Sequence, residues 1–199
     1  MSERSLPDIE QQIAYLMEID KLKGIERRTK DVDRSRFENS AEHSWHVALC
    51  AMVLSPYAGA EIDLPRVVQM LLVHDIVEID AGDTFAYDDV GRQDQHDRES
   101  VAADRIFGML PQQQGEELLA LWQEFEAAES VDAKFANAID RFIPLLHNYY
   151  TEGETWRKHS ITKAQVLERN AIVKSGAPQL WAYVQSIIDD SVSKGYLLP

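Results

Sequence analysis

Histidine and aspartate stand side by side at positions 74 and 75, inside the stretch Val67 to Asp83, VVQMLLVHDIVEIDAGD. Strongly apolar residues precede the pair, which therefore reads as part of a buried helix. An imidazole nitrogen and a carboxylate oxygen in such surroundings need partners, and both are ordinary ligands of a divalent transition metal. Glu78 comes one helical turn after His74, so its carboxylate is expected on about the same face. Asp83 follows Gly82, where the helix is expected to stop. Alone, a His-Asp pair is more often a surface or core hydrogen-bonding pair than a catalytic one. Its company changes the reading. His43 lies upstream in ENSAEHSWHVALCAMVL and Asp140 downstream in VDAKFANAIDRFIPLL, each in an apolar helical pattern. His43, His74, Asp75 and Asp140 together offer four ligands to one ion.

The elements that must carry these residues are helices. An apolar stripe of Ile9, Ile13, Leu16, Met17 and Ile19 predicts a first helix from about Leu6 to Lys23, ended by Gly24. The stretch IERRTKDVDRSRFENS is polar and irregular, with Arg27, Arg28, Arg34 and Arg36. Asn39 or Ser40 can cap the helix holding His43, and Pro56 closes it. Asp63 and Pro65 open the helix holding His74. An acidic, aromatic loop spans Asp83 to Gln95, and helices are predicted near 96–109, 115–127, 131–150, 162–174 and 178–194. Pro144 should kink the helix near 131–150 or mark a break in it, because proline removes a backbone donor. Strand-like alternation is nowhere sustained. The fold expected is all-α, a compact helical bundle.

Composition narrows the class. A chain of 199 residues, 45% hydrophobic and 27% charged, suits one globular domain over 1–199. Formal net charge is −14, which repels nucleic-acid backbones and anionic membrane surfaces, so neither is expected as a partner. No apolar run reaches the roughly 18 residues a membrane span needs. The amino terminus lacks the basic and apolar segments of a secretory leader. Cys50 has no second cysteine to pair with and reads as a small buried apolar residue, which fits a reducing cytoplasm.

The order His43, His74-Asp75, Asp140 resembles the HD-domain metal-dependent phosphohydrolases, and RFENSAEHSW with LLVHDIVEIDAGD resembles their 5'-deoxynucleotidase branch. The similarity covers about Lys21 to Tyr149, the expected core, with the terminal helices packed on it. It implies an HD-type bundle, a homodimer, and hydrolysis of (deoxy)nucleoside 5'-monophosphates with a divalent cation. It also implies that Arg28 orients the phosphate, that Glu78 serves in catalysis, and that Asp83, Thr84, Phe85 and Ala86 form the loop holding sugar and base. Thr29, His43 and Asp140 are further positions implied to meet substrate. Two departures stand out: Thr29 and Lys30 follow Arg28 where a tryptophan is common, and the loop after Asp83 lacks the usual proline. Both fall on substrate positions and spare the metal set.

Under that resemblance the chemistry follows. Two imidazoles and two carboxylates, with no thiolate, suit Mn, Fe, Co, Ni, Zn or Mg. Four protein ligands on an octahedral ion leave positions for water and a phosphate oxygen, and such an ion polarises the phosphoryl group and activates the water. Glu78 suits an acid or base, or else a solvated helix face. Arg28 and, next, Arg36 suit phosphate because a guanidinium matches two oxygens at once; either can instead bridge to Glu38 or Glu42. Phe85 and Tyr87 can stack on a base or simply pack. His46 reads as packing, His147 as lining the pocket without touching metal, and His96 and His159 as solvated. Trp181, Tyr183, Tyr196, Leu197 and Leu198 suit a core cover or a dimer face. Alternatives are a hydrolase of another phosphorylated metabolite, such as a cyclic nucleotide, a nucleoside triphosphate or a stringent-response nucleotide, and a non-catalytic metal- or nucleotide-binding helical domain.

Overall fold

The computed structural model describes residues 6–88 and 90–199. The first five residues, part of the amino terminus read above, and Asp89 of the acidic loop lie outside the described residues. Helices dominate, as the periodicity predicts: α1 (Leu6–Ile19), α2 (Ser40–Leu54), α3 (Leu64–Val73), α4 (Glu78–Ala81), α5 (Gln95–Phe107), α6 (Gln112–Ala127), α7 (Val131–Tyr150), α8 (Glu154–Lys158), α9 (Lys163–Arg169), α10 (Val173–Gly176) and α11 (Pro178–Ser193). Their starts are chemically marked. Asn39 and Glu42 form a reciprocal capping box on α2, the Asp63 carboxylate accepts from the Arg66 amide at 3.2 Å with Pro65 in the first turn, and Ser130 Oγ accepts from the Ala133 amide at 3.1 Å.

The arginine-rich stretch is not irregular. It folds into an antiparallel ribbon, β1 (Glu26–Lys30) with β2 (Phe37–Asn39), pairing Glu26 with Asn39 and Lys30 with Phe37 around an irregularity. Hydrophobic alternation could not reveal it, because the residues it turns inward, Arg27 and Glu38, are charged. The helix expected over 162–174 is also divided, α9 ending before Asn170 and α10 starting at Val173.

The core forms where α2, α3 and α7 pack together, with α10 laid across α7. Val47 and Ala51 of α2, Val67, Met70 and Leu71 of α3, and Phe135 and Ile139 of α7 are fully buried. Each of the larger side chains contributes about 1.5–3 kcal/mol through burial. The α7–α10 approach depends on Gly176, since a Cβ there would stand 2.1 Å from the Lys134 carbonyl oxygen. α7 runs unbroken through Pro144, so a turn break is excluded; the missing proline N–H leaves the Asp140 carbonyl without its usual helical donor. The carboxyl-terminal tail does cover the core: Leu197 is buried and the Leu198 amide donates to the Ile161 carbonyl at 3.0 Å. The α1 stripe behaves otherwise. Ile9, Ile13, Leu16 and Met17 are exposed, and only Tyr15 of this helix is buried. Among the described residues no helix is long and apolar enough to cross a membrane.

Candidate active site

The expected single helix through His74 and Glu78 is broken. α3 ends at Val73, and the chain passes through a tighter turn in which the Ile76 amide donates to the Val73 carbonyl at 3.2 Å and the Glu78 amide to the Asp75 carbonyl at 3.0 Å. Three-residue winding eclipses side chains three apart, which sets Asp75 and Glu78 over one another on the cleft side. Gly82, at φ +74°, closes α4 in the left-handed region and releases Asp83.

His43, from α2, is fully buried, and its Nε2 lies 2.9 Å from Asp140 Oδ1, supplied by α7. His74 Nδ1 donates to the Leu71 carbonyl at 2.9 Å, which leaves Nε2 facing Asp75 Oδ1 at 3.0 Å and Asp140 Oδ1 at 3.4 Å. That nitrogen is buried and makes no hydrogen bond. Neighbouring ligands of an ion bonded at about 2.1 Å stand roughly 3 Å apart, so this donor set can hold a divalent cation. Electrostatics agree. Burial opposes charge on His74, yet Asp75 and Asp140 outweigh it and raise the imidazole to about 9. Burial likewise opposes ionisation of Asp140, and Arg141 with the two histidines overrides it and holds the carboxyl well below its usual range. Carboxylates that hold a proton on an imidazole so firmly would hold a cation in its place.

Several neighbours of the cluster carry no signal that periodicity could show. Arg27 Nη1 donates to Asp75 Oδ2 at 2.7 Å and lies 4.0 Å from Asp83 Oδ1. Strand alternation turns Arg27 inward and leaves Arg28 exposed at the cleft mouth, where the Arg28 carbonyl accepts from Thr155 Oγ1 at 3.1 Å. Glu38 Oε2 faces His43 Nδ1 at 3.2 Å, a placement that fixes the ring with Nε2 toward the carboxylates. Arg141 Nη1 donates to Asp140 Oδ2 at 2.7 Å. Arg169 lines the same wall; burial and the Arg141 guanidinium bring it down to about 9. Glu78 accepts from Ser40 Oγ, and burial together with Asp75 raises its carboxyl well above the usual range. Burial raises Asp83 as well, against the pull of Arg27.

These groups open on a cleft of about 360 Å³. Arg28, Thr29, His74, Asp75, Glu78 and Asp140 line it, as does the loop Asp83, Thr84, Phe85, Ala86. Phe85 packs edge-on against Tyr87 at 5.5 Å and tilts against His159 at 4.7 Å, so part of its surface is spent on packing. Three expectations are corrected. His43 does not line the cleft and sits behind the carboxylates, since its ring is enclosed by Glu38 and Asp140. Arg36 is engaged outside it, bonded to Glu42 at 2.9 Å and 3.3 Å from Asp31. His147 does not line it either; its ring turns to the opposite side of Glu38, beside His46. His96, read as solvated, is exposed at the cleft rim. Cys50 is half-buried, in an apolar groove elsewhere.

Comparison with known proteins adds independent findings. An HD domain family model matches residues 19–181. The human 5'-deoxynucleotidase HDDC2 is 33% identical over 106 residues, covering 53% of this chain and 50% of that protein. The 5'-deoxynucleotidase YBR242W of Saccharomyces cerevisiae is 26% identical over 159 residues, covering 77% of this chain and 65% of that one. The match to the human protein thus spans about half of its length. A crystal structure described as a predicted metal-dependent phosphohydrolase from Magnetospirillum magnetotacticum MS-1 superposes with a TM-score of 0.92 at 49% identity, covering 96% of each chain.

Proposed function

Since the chain belongs to the HD domain family, we propose that it is a metal-dependent phosphomonoesterase that hydrolyses nucleoside 5'-monophosphates, deoxy ones foremost, to nucleoside and phosphate. One observation carries this reading: the metal-competent cluster opens on a cleft walled by Arg27, Arg28, Arg141 and Arg169, in a chain whose net charge is −14. Concentrating guanidinium groups at one place in an acidic protein suits a phosphate ligand.

His43, His74, Asp75 and Asp140 are the residues that would hold the cation. When bound, it supplies Lewis acidity toward the phosphoryl group and a nucleophilic water. Glu38 keeps His43 Nε2 aimed at the cluster, and Arg27 keeps the second oxygen of Asp75 occupied. Arg28, at the mouth, and Arg141 with Arg169, which line the same cleft, hold the phosphate oxygens. As the bond from phosphorus to the nucleoside 5' oxygen breaks, the protonated Glu78 carboxyl gives its proton to that oxygen. Asp83, Thr84, Phe85 and Ala86 shape the seat for sugar and base, with Thr29 across from them. A second reading has a specific support: besides Arg27 and Arg28 the cleft carries Arg141 and Arg169, close enough for the Arg141 charge to depress Arg169, and so many guanidinium groups suit a substrate with more than one phosphate.

The test is a phosphate-release panel on chelated protein resupplied with Mn, Co or Mg. Deoxynucleoside monophosphates are expected to turn over fastest, and chelated protein not at all. Preference for a triphosphate or a stringent-response nucleotide would move the assignment to the second reading, and multiple turnover of no phosphate ester would end it.

The chain is further proposed to act in the cytoplasm as a homodimer. From Val47 to Leu54 α2 is apolar around its whole circumference, yet Leu49, Met52 and Val53 there and Trp45 before it are exposed, Leu49 and Val53 bordering one groove with Tyr57 and Tyr183. A helix apolar on every side is one buried on every side, and a second copy is the cover proposed here. Val53→Glu is expected to halve the mass measured by size-exclusion with light scattering. A wild-type monomer at micromolar concentration would contradict the dimer.

A further inference from the structure

On the far side of Glu38 from the cluster lies a second group of donors. Glu38 spans the two places: its Oε2 faces His43, and its Oε1 lies 4.0 Å from His147 Nδ1. His46, on α2 three residues after His43, stacks its ring on His147 with centroids 5.4 Å apart and planes at 24°. One donor atom from each of Glu38, His46 and His147 lies within 4.8 Å of the others. Glu38 and His147 are buried, at 3% and 6% exposure, and His147 Nδ1 has no hydrogen-bond partner. Leaving such a nitrogen unsatisfied costs about 1–3 kcal/mol, and packing alone gives no reason to keep a histidine there rather than an apolar residue.

We propose that Glu38, His46 and His147 form a second divalent-cation site, distinct from the His43, His74, Asp75, Asp140 cluster. Two imidazoles and one carboxylate without a thiolate select a borderline transition ion such as Zn, Co or Ni over Mg or Ca. Three protein ligands leave the remaining positions to water. Ligand separations of about 3.3 Å around a tetrahedral ion ask the present donors to close by roughly an ångström and a half, and because each imidazole binds an ion in its own plane, the partly exposed His46 ring must also turn out of its stack on His147. His46 and Cys50 border an apolar groove of about 690 Å³ on the face proposed to pair with a second copy, so the ion would enter the outer site before that face is covered. Because Glu38 reaches His43 with its other oxygen, an ion on Oε1 would fix the carboxylate that orients a ligand of the first site.

This inference is independent of the substrate and is tested without turnover. Chelated protein is dialysed against Co(II), and bound metal is counted per chain by elemental analysis together with its visible absorption. Wild type is expected to hold two equivalents. His46→Gln, which alters a half-exposed residue, should hold one with phosphatase activity retained at saturating metal, and His147→Gln should do the same. His74→Ala should keep one equivalent with the absorption of the outer site, and adding His46→Gln to it should remove that one. A single equivalent in wild type, or a count unchanged by His46→Gln and by His147→Gln, would overturn the site even if the enzyme proves to be a phosphatase.

Discussion

With His74 or Asp75 replaced by alanine, phosphate release from dAMP is expected to fall on the order of 10³-fold or more, while the helical circular dichroism signal persists. A catalytic cation contributes several kcal/mol of transition-state stabilisation, and each 1.36 kcal/mol is tenfold in rate, so about 4 kcal/mol lost gives that factor. The fold should survive because neither residue carries the core. The His74 ring has one hydrogen bond, to the Leu71 carbonyl, and α3 keeps Val67, Met70 and Leu71 packed. In the Asp75 variant Arg27 retains Glu38 at 3.5 Å and Asp83 at 4.0 Å, so no buried guanidinium is stranded. The measurement pairs initial rates with bound metal. Activity kept in either variant at saturating Mn or Co would refute the assignment of these residues to the metal.

The legible and the illegible parts of this site differ in physical kind. Helices announce themselves through apolar periodicity and caps, which is why α2, α3 and α7 and their boundaries at Asn39, Asp63 and Ser130 follow from residue types. His43, His74, Asp75 and Asp140 are conspicuous as polar groups in apolar helices, and they do stand together in space. Arg27 was hidden by the opposite circumstance. It sits on a ribbon whose inner face is charged, so no hydrophobic signal marks the strand, and the one-residue alternation that separates inward Arg27 from exposed Arg28 is invisible without it. Glu38 belongs to the same ribbon and escaped for the same reason. Arg169 lies on α9, far along the chain from the ligands, and only the tertiary placement of α9, packed on α11, brings it to the cleft; nothing local in sequence distinguishes it from a solvated cation. The break after Val73 also lacks a proline or glycine to signal it. Its result is a three-residue winding that sets Asp75 and Glu78 together on the cleft side.

The second large effect is expected at Glu78. Glu78→Gln should lower kcat on dAMP by about 10²–10⁴-fold, the range associated with losing a positioned general acid, with bound metal at the four-ligand cluster unchanged. Glutamine keeps the volume and still offers an acceptor to Ser40 Oγ, so the cleft should hold its shape. What it cannot do is release a proton. Burial holds the Glu78 carboxyl well above the usual carboxylate range before any cation neutralises Asp75, and the proposed role requires the group to enter the reaction protonated. The sign of the pH dependence follows: the acid is present below its raised value and lost above it, so wild-type kcat should fall on the alkaline side and the variant should lack that limb. The leaving group separates this role from a structural one. A nucleoside 5' oxygen leaves as a poor, strongly basic alkoxide and needs the proton, whereas 4-nitrophenolate leaves without one. On 4-nitrophenyl phosphate the variant should therefore lose less than about tenfold. Equal losses on both esters would show that Glu78 shapes the cleft or assists the cation and does not donate the proton.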